Sequence, residues 1–375
     1  MRAMADKVLV TGGAGFIGSH LVDALLAAGR DVRVLDDLLP QAHPTGTARF
    51  LSKDAELVVA DIRDRGAVDR ALDDVTSVFH CAGMVGNGQS MVEIRRYTDV
   101  NAVGTATLLE AMLARREQFA RLVVSSSMVV YGDGAYACKT HGVVRALRPE
   151  ARLRARAWEP VCPTCAEEVS PVATHEDQPL YPTSTYGISK RDQEELSLVI
   201  GRAYGLPTVC LRYLNTYGSR QALSNPYTGV AAIMTTRMLS GKPPTLFEDG
   251  GQLRDLTHVS DVVRANLLAE VAPDAALYLP FNVGTGRSVP ILQIARMLAR
   301  ALGVDIEPDV TGLFRDGDIR HCFADVSRAR ELLGYEPRIT LEEGVGELAA
   351  WARGESPEDL TERANQELRD KGLIR

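Results

Sequence analysis

Tyr186 and Lys190 stand four residues apart in Tyr186-Gly187-Ile188-Ser189-Lys190, a spacing that puts both on one face of a helix. A free phenol has a pKa of about 10 and is a poor base at neutral pH. An ammonium held one turn away favours the phenolate, which would make the pair a general base tuned toward working pH. Taken alone, such a pair is a common accident on exposed helices. It gains weight from Ser125-Ser126-Ser127-Met128-Val129-Val130-Tyr131-Gly132, a hydroxyl cluster at the end of an apolar strand. Strand ends of this kind carry ligand sites in parallel sheets.

A second chemistry lies in Thr11-Gly12-Gly13-Ala14-Gly15-Phe16-Ile17-Gly18. The triplet Gly12, Gly15, Gly18 follows the apolar run Val8-Leu9-Val10 and opens a helical pattern with Leu21, Leu25 and Leu26 on one face. Glycines permit a tight turn and let the backbone approach a pyrophosphate. The helix N-terminus, at Phe16 and Ile17, supplies aligned N–H groups. Asp36 ends the second strand, where its carboxylate can accept from both ribose hydroxyls of NAD and repel a 2′-phosphate. NAD is therefore expected over NADP. Asp61 and Ile62, after the third strand, are placed to touch the adenine, an ordinary helix cap being the alternative for Asp61.

A third pattern is Cys138-x-x-His141 with Cys162-Pro163-Thr164-Cys165. The two pairs are about twenty residues apart, the spacing of a structural zinc ribbon. Three thiols and an imidazole fill a tetrahedral site and leave no position open, so the expected role is to close a loop. Unligated thiols are the alternative. Cys81, Cys210 and Cys322 lie singly in apolar runs and read as core thiols.

The elements that must position these groups follow from the hydrophobic pattern. Val8–Val10, Val32–Leu35, Leu57–Ala60, Val75–His80, Leu122–Ser125 and Leu206–Arg212 read as short strands separated mostly by helical stretches. That alternation predicts an α/β fold: a doubly wound parallel sheet of Rossmann type with right-handed crossovers. Between Gly132 and Glu176 the rhythm is lost, and Arg, Pro and Cys dominate. The expected partition is a core of residues 1–132 and 177–219, an insertion of 133–176, and a smaller lobe over 220–375 with some strands returning to the core. The charged tail from Ser356 reads as an exposed helix.

The chain has 375 residues, 45% hydrophobic and 24% charged, with a net charge of −7. Those fractions exclude a wholly disordered or fibrous chain. The acidic balance argues against a binder that neutralises nucleic-acid phosphates. No run approaches the ~20 apolar residues of a membrane helix, and Met1-Arg2-Ala3-Met4-Ala5-Asp6 contains no signal-type apolar region. The expectation is a cytoplasmic protein with no membrane and no nucleic-acid partner.

Taken together, these pieces resemble the extended short-chain dehydrogenase/reductases, and among them the nucleotide-sugar epimerase/dehydratase family. Also matching are Asp61-Ile62-Arg63, His80-Cys81-Ala82-Gly83, Asn101, Leu211-Arg212-Tyr213-Leu214-Asn215, Arg254-Asp255-Leu256-Thr257-His258-Val259, Phe281-Asn282-Val283-Gly284 and Arg315-Asp316-Gly317-Asp318. The resemblance covers nearly the whole chain except the insertion. It implies Ser127 as the hydroxyl that bonds the sugar oxygen, Tyr186 as the base, and Lys190 as its partner on the nicotinamide ribose. Ala82 and Asn101 join the cofactor site. Asn215 would hold the sugar diphosphate, Arg254 and Arg315 would grip phosphates as guanidinium forks do, and Asp318 would accept from the nucleotide ribose. Homodimers through the Tyr-Lys helix are common in this family.

Members start alike, with Tyr186 taking a hydroxyl proton as hydride leaves for NAD. The 4,6-dehydratase branch follows the hydroxyl residue with Asp-Glu, and decarboxylases usually keep a Glu two positions after it. Here Met128 and Val129 stand there, and neither transfers protons. The expected reaction is 4-epimerisation of a nucleotide-diphosphate sugar through a transient 4-keto intermediate. The Cys-bearing insertion and Gln221 to Gly229 resemble a branch of bacterial epimerases around dTDP-L-rhamnose and 6-deoxy-L-talose, so a dTDP-6-deoxyhexose is the expected substrate. The alternatives are a dehydratase, dehydrogenase or decarboxylase on similar sugars, and more distantly a non-catalytic NAD-binding regulator.

Overall fold

The computed structural model describes residues 7–375. Met1 to Asp6, on which the expectation of no signal segment rests, lie outside the described residues. Seven parallel strands form the central sheet: β1 (Lys7–Thr11), β2 (Asp31–Asp36), β3 (Glu56–Val59), β4 (Val75–His80), β5 (Arg121–Ser127), β6 (Thr208–Tyr213) and β7 (Pro280–Val283). Their order across the sheet is β7-β6-β5-β4-β1-β2-β3. The chain reverses direction of winding at β1, the kind of switch point where doubly wound folds open a crevice.

Both faces of the sheet are covered, which explains the unbroken apolar strands. Along β1, Val8 and Val10 join one core with Leu21, Val22 and Leu25 of helix Phe16–Ala27 and with helices Val259–Glu270 and Ser327–Leu333. Leu9 faces the other way, toward helices Arg65–Ala71, Gly104–Leu113 and Thr185–Tyr204. The last of these begins at Ser184, whose Oγ accepts from the Gly187 N–H at 3.1 Å, and ends at Gly205 in the left-handed region. A capped, 20-residue helix is a rigid mount for Tyr186 in its first turn and Lys190 in its second.

A second core joins helices Val230–Leu239, Ile291–Leu302 and Leu341–Ala352 through Met234, Ile294, Leu298 and Leu348. Within the span expected as the smaller lobe, β7 and two helices rejoin the main sheet. The insertion forms a three-stranded antiparallel sheet of Ala135–Cys138, Gly142–Val144 and Ser170–Val172, with Tyr136, Cys138, Cys162 and Val169 as its own small core.

The tail differs from its expected exposure. It is helical over Thr361–Asp370, but Ala364 and Leu368 are buried and pack against the molecule. A stripe of two apolar residues four apart suffices to dock a helix whose other faces are charged. No helix among the described residues is long and apolar enough to cross a membrane.

Candidate active site

A cleft of about 810 Å³ runs between the carboxyl ends of the main sheet strands and the second core. Gly12, Gly15, Phe16, Ile17 and Gly18 line one end, Ser127, Tyr186 and Lys190 the middle, and Asn215, Arg254, Arg315 and Asp318 the far end. Groups from distant parts of the chain thus share one space.

At the glycine turn the sequence leaves no room for side chains. Gly12 has φ +67, and a Cβ there would meet Ala82 N at 2.7 Å. A Cβ on Gly18 would stand 2.2 Å from Gly12 O. No side chain caps helix Phe16–Ala27 at Gly15, so its first-turn amides are left to a ligand, as anion sites require. This cradle fits the pyrophosphate of NAD.

The other cofactor-side residues stand behind the wall. Asp36 accepts from Ala14 N at 3.0 Å and Leu38 N at 2.9 Å, which ties the second strand to the glycine turn. Asp61 is engaged by the Arg63 guanidinium, which holds its carboxyl below the usual range. Ile62 packs under Gly104. Asn101 is fully buried; its Oδ1 accepts from Met84 N at 2.7 Å and its Nδ2 donates to Met84 O and Ser189 Oγ. All of its amide groups are engaged within the protein, so its effect on the cleft is to fix the Met84 loop. Ala82 supports the turn from below through Thr11.

The Tyr-Lys pair differs from the sequence expectation. Tyr186 is nearly buried, and burial pushes its phenol up to about 12, opposed by a hydrogen bond with Ser127. Lys190 Nζ donates to Ser125 O and to Gln193 Oε1 at 2.6 Å, and burial pulls it down to about 8. In the protein alone, desolvation outweighs the Ser127 hydrogen bond.

On the far side, Arg315 Nε donates to Asp318 Oδ2 at 2.8 Å, and its guanidinium lies 4.3 Å from the Phe247 ring centre. Arg254 donates to the carbonyls of Leu253, Ile319 and Arg320. Asn215 Oδ1 is buried in the cleft without a hydrogen-bond partner. An orphaned acceptor of this kind is costly unless a ligand donor meets it.

Several participants were not legible in the sequence. Glu194, two turns beyond Tyr186, is buried and accepts from Ser126 Oγ at 2.6 Å and from the Arg212 fork. Arg212 in turn donates to Tyr131 Oη at 2.8 Å. Its spacing on the helix was the one available signal. The loop of residues 38–50 roofs the cleft: Gln41 Nε2 donates to Gln89 and Asn225, and Arg49 forks onto Glu355. No periodicity marked it.

In the insertion, the ligand atoms of Cys138, His141, Cys162 and Cys165 lie within 4.8 Å of one another. Cys138 Sγ is 3.7 Å from Cys165 Sγ, and both Cys138 and Cys162 Sγ are 3.5 Å from His141 Nδ1. Tetrahedral zinc with ordinary bond lengths gives edges of about 3.8 Å for S–S and about 3.6 Å for S–N. The donor set and its spacing fit that ion. Backbone N–H groups of Cys165 and Thr164 hold the Cys162 thiol down at about 6, which favours the thiolate a metal takes.

A doubly wound sheet with a glycine cradle at its switch point and a Tyr-Lys pair across the cleft defines a dinucleotide-dependent enzyme. Residues 8–149 and 160–284 match the NAD dependent epimerase/dehydratase family. The chain is 37% identical over 354 residues to a dTDP-L-rhamnose 4-epimerase of Burkholderia thailandensis, covering 92% of this chain and 94% of that protein. A Thermotoga maritima UDP-glucose 4-epimerase structure with UDP-glucose superposes with a TM-score of 0.75 at 33% identity, covering 93% and 99% of the two chains. A Thermus thermophilus UDP-glucose 4-epimerase in complex with NAD gives 0.73 at 31% identity, over 93% and 100%. The chain belongs to the NAD dependent epimerase/dehydratase family and is an NAD-dependent enzyme of the epimerase type.

Proposed function

We propose that the protein is a nucleotide-sugar 4-epimerase whose substrate is a dTDP-6-deoxyhexose such as dTDP-L-rhamnose. The observation that carries the reaction type is the absence of a free acid in the cleft. Among the described residues lining it, the carboxylates are Asp318 and Glu355, and these are paired with Arg315 and Arg49. Ser127 is followed by Met128 and Val129. A dehydratase needs a group to remove the C5 proton, and none stands ready. The sugar assignment rests on the kinship with the Burkholderia protein and on the largely apolar wall of Met84, Val129 and Leu214, which suits a C6 methyl group.

NAD held on the glycine cradle would supply a hydride acceptor and a positive ring charge. Tyr186 takes the proton of the C4 hydroxyl while hydride leaves C4, and a 4-keto sugar results. Ser127 bonds the same oxygen, and Lys190 offsets the charge of the phenolate. The keto sugar turns in the cleft, hydride returns to its opposite face, and Tyr186 gives the proton back. Arg254, Arg315, Asp318 and Asn215 hold the nucleoside-diphosphate end throughout, so that only the sugar turns.

Cys138, His141, Cys162 and Cys165 hold a structural zinc in this reading. Elemental analysis should find about one zinc per chain, and Cys138→Ser should remove it. Ile188 and Val199, exposed on helix Thr185–Tyr204, support a homodimer through that helix. The deciding experiment is proton NMR of the protein with dTDP-L-rhamnose and no added cofactor. Conversion to the C4 epimer at constant mass is the expected result; loss of water, or accumulating NADH, would refute epimerisation.

A further inference from the structure

The segment that carries Arg315 and Asp318 does not hold itself in place. Immediately after it, the Arg320 side chain is 2% exposed and meets three carboxylates. Its guanidinium donates to Glu159 Oε1, to Glu248 Oε2 at 3.0 Å and to both oxygens of Asp249. Its backbone N–H donates to Asp133 Oδ1 at 2.6 Å. His321 Nε2 lies 2.9 Å from Glu159 Oε2, and the His321 N–H donates to Tyr136 Oη at 3.1 Å. Arg148 donates to Asp318 O at 3.1 Å and pairs with buried Glu248.

Asp133, Tyr136, Arg148 and Glu159 all belong to the insertion. Arg148 and Glu159 flank the antiparallel bridge between Leu147 and Val161, closed by two backbone bonds of 2.9 Å. That bridge runs directly into the Cys162–Cys165 turn. The insertion thus holds the backbone of residues 318–321 from one side. Arg254 donates to two carbonyls of that same stretch, those of Ile319 and Arg320. A shift of the stretch moves Asp318 and Arg254 together.

We propose that the Cys/His insertion is a positioning element of the substrate site: Asp133, Arg148 and Glu159 lock residues 318–321, and so set affinity for the nucleoside-diphosphate end of the substrate. The proposal rests on the reading that Arg254, Arg315 and Asp318 meet that end. None of the three locking residues touches the glycine cradle or Tyr186, so cofactor binding and the hydride step are independent of them. Buried ionic networks are suited to this work, because removing one member leaves others uncompensated and displaces the chain they hold.

The test uses the full-length protein as purified with its NAD. Glu159→Gln and Arg148→Met are compared with Arg315→Ala for dTDP and UDP binding by calorimetry, for NAD content, and for KM and kcat. Loss of a charged hydrogen bond corresponds to about tenfold or more in affinity. The expected result for Glu159→Gln and Arg148→Met is a tenfold weaker Kd for dTDP or UDP and a matching rise in KM. Their kcat stays within about twofold, and NAD content is unchanged. Asp133→Ala, which removes the acceptor of the Arg320 N–H, serves if either variant is insoluble. Arg148→Lys should restore part of the affinity. An unchanged Kd in the insertion variants beside a weakened Arg315→Ala would overturn the proposal and leave the site assignment standing. Equal losses of kcat, NAD content and nucleotide affinity would also overturn it, since they describe general loosening. An Arg315→Ala protein with unaltered Kd would remove the site assignment, and the proposal with it.

Discussion

The two ends of the cleft are built by opposite means. The cofactor end is backbone: Gly12, Gly15 and Gly18 sit in one strand-turn-helix unit, and Asp36 closes it from the neighbouring strand. The end proposed to hold the substrate is side chain: Asn215, Arg254, Arg315 and Asp318 come from separate segments. They are secured by contacts such as Arg320 to Asp133, 187 residues apart in the chain. A backbone cradle is fixed once the turn forms and recognises what all dinucleotides share. A side-chain grip depends on rotamers and charges, so it can be altered residue by residue. Such a division lets one cofactor end serve many substrates across a family.

Tyr186 sits where the two ends meet, and Tyr186→Phe should have the largest effect. Turnover should fall by about 10²–10⁴, the usual contribution of a general acid–base group, while NAD content and nucleotide affinity both hold. If either falls with turnover, the two ends are not independent and the comparison fails. Gly18→Ala should act on the cofactor end alone. Its Cβ would stand 2.2 Å from Gly12 O and 2.6 Å from Gly13 Cα. With overpacking costing ~1–3 kcal/mol, NAD binding should weaken by roughly tenfold to a hundredfold, measured by fluorescence titration, with dTDP binding unaltered.

The smallest effect sharpens the comparison through pH. Burial lowers Lys190 from 10.5 to about 8. Between these values the unfolded chain binds the proton and the folded chain does not, so stability rises with pH across that window. Relative to Lys190→Met, the unfolding free energy of the NAD-free protein should climb from pH 8 to about 10.5 and run flat below pH 8. A difference that stays level throughout would mean that Lys190 keeps its proton when buried.

What the sequence made legible follows the same division. The glycine turn, Asp36 and the strands that carry them are short-range, so composition and spacing reveal them. Tyr186 and Lys190 were placed correctly on one capped helix, but the direction of the phenol shift was not. It depends on how little water reaches the ring, which spacing along one helix does not reveal. The partners of Arg320, the Arg212–Glu194 pair and the roof over residues 38–50 are long-range, and no local pattern encodes them. The tail was misjudged because its charges outnumber the two apolar residues that dock it.

The seventh strand has a consequence for biosynthesis. β7 pairs in parallel with β6 and is covered on both faces, with Phe281 and Val283 fully buried. A ribosome delivers β6 well before β7. During that interval the nascent chain carries an apolar strand with one unpaired edge, the feature most prone to cross-association. Residues between the two strands include the helix Val259–Glu270 that packs on β5 and β6, so shielding and completion of the sheet arrive nearly together. Slow translation through this stretch would prolong the exposed interval, and expression yield should respond to codon choice there more than elsewhere in the gene.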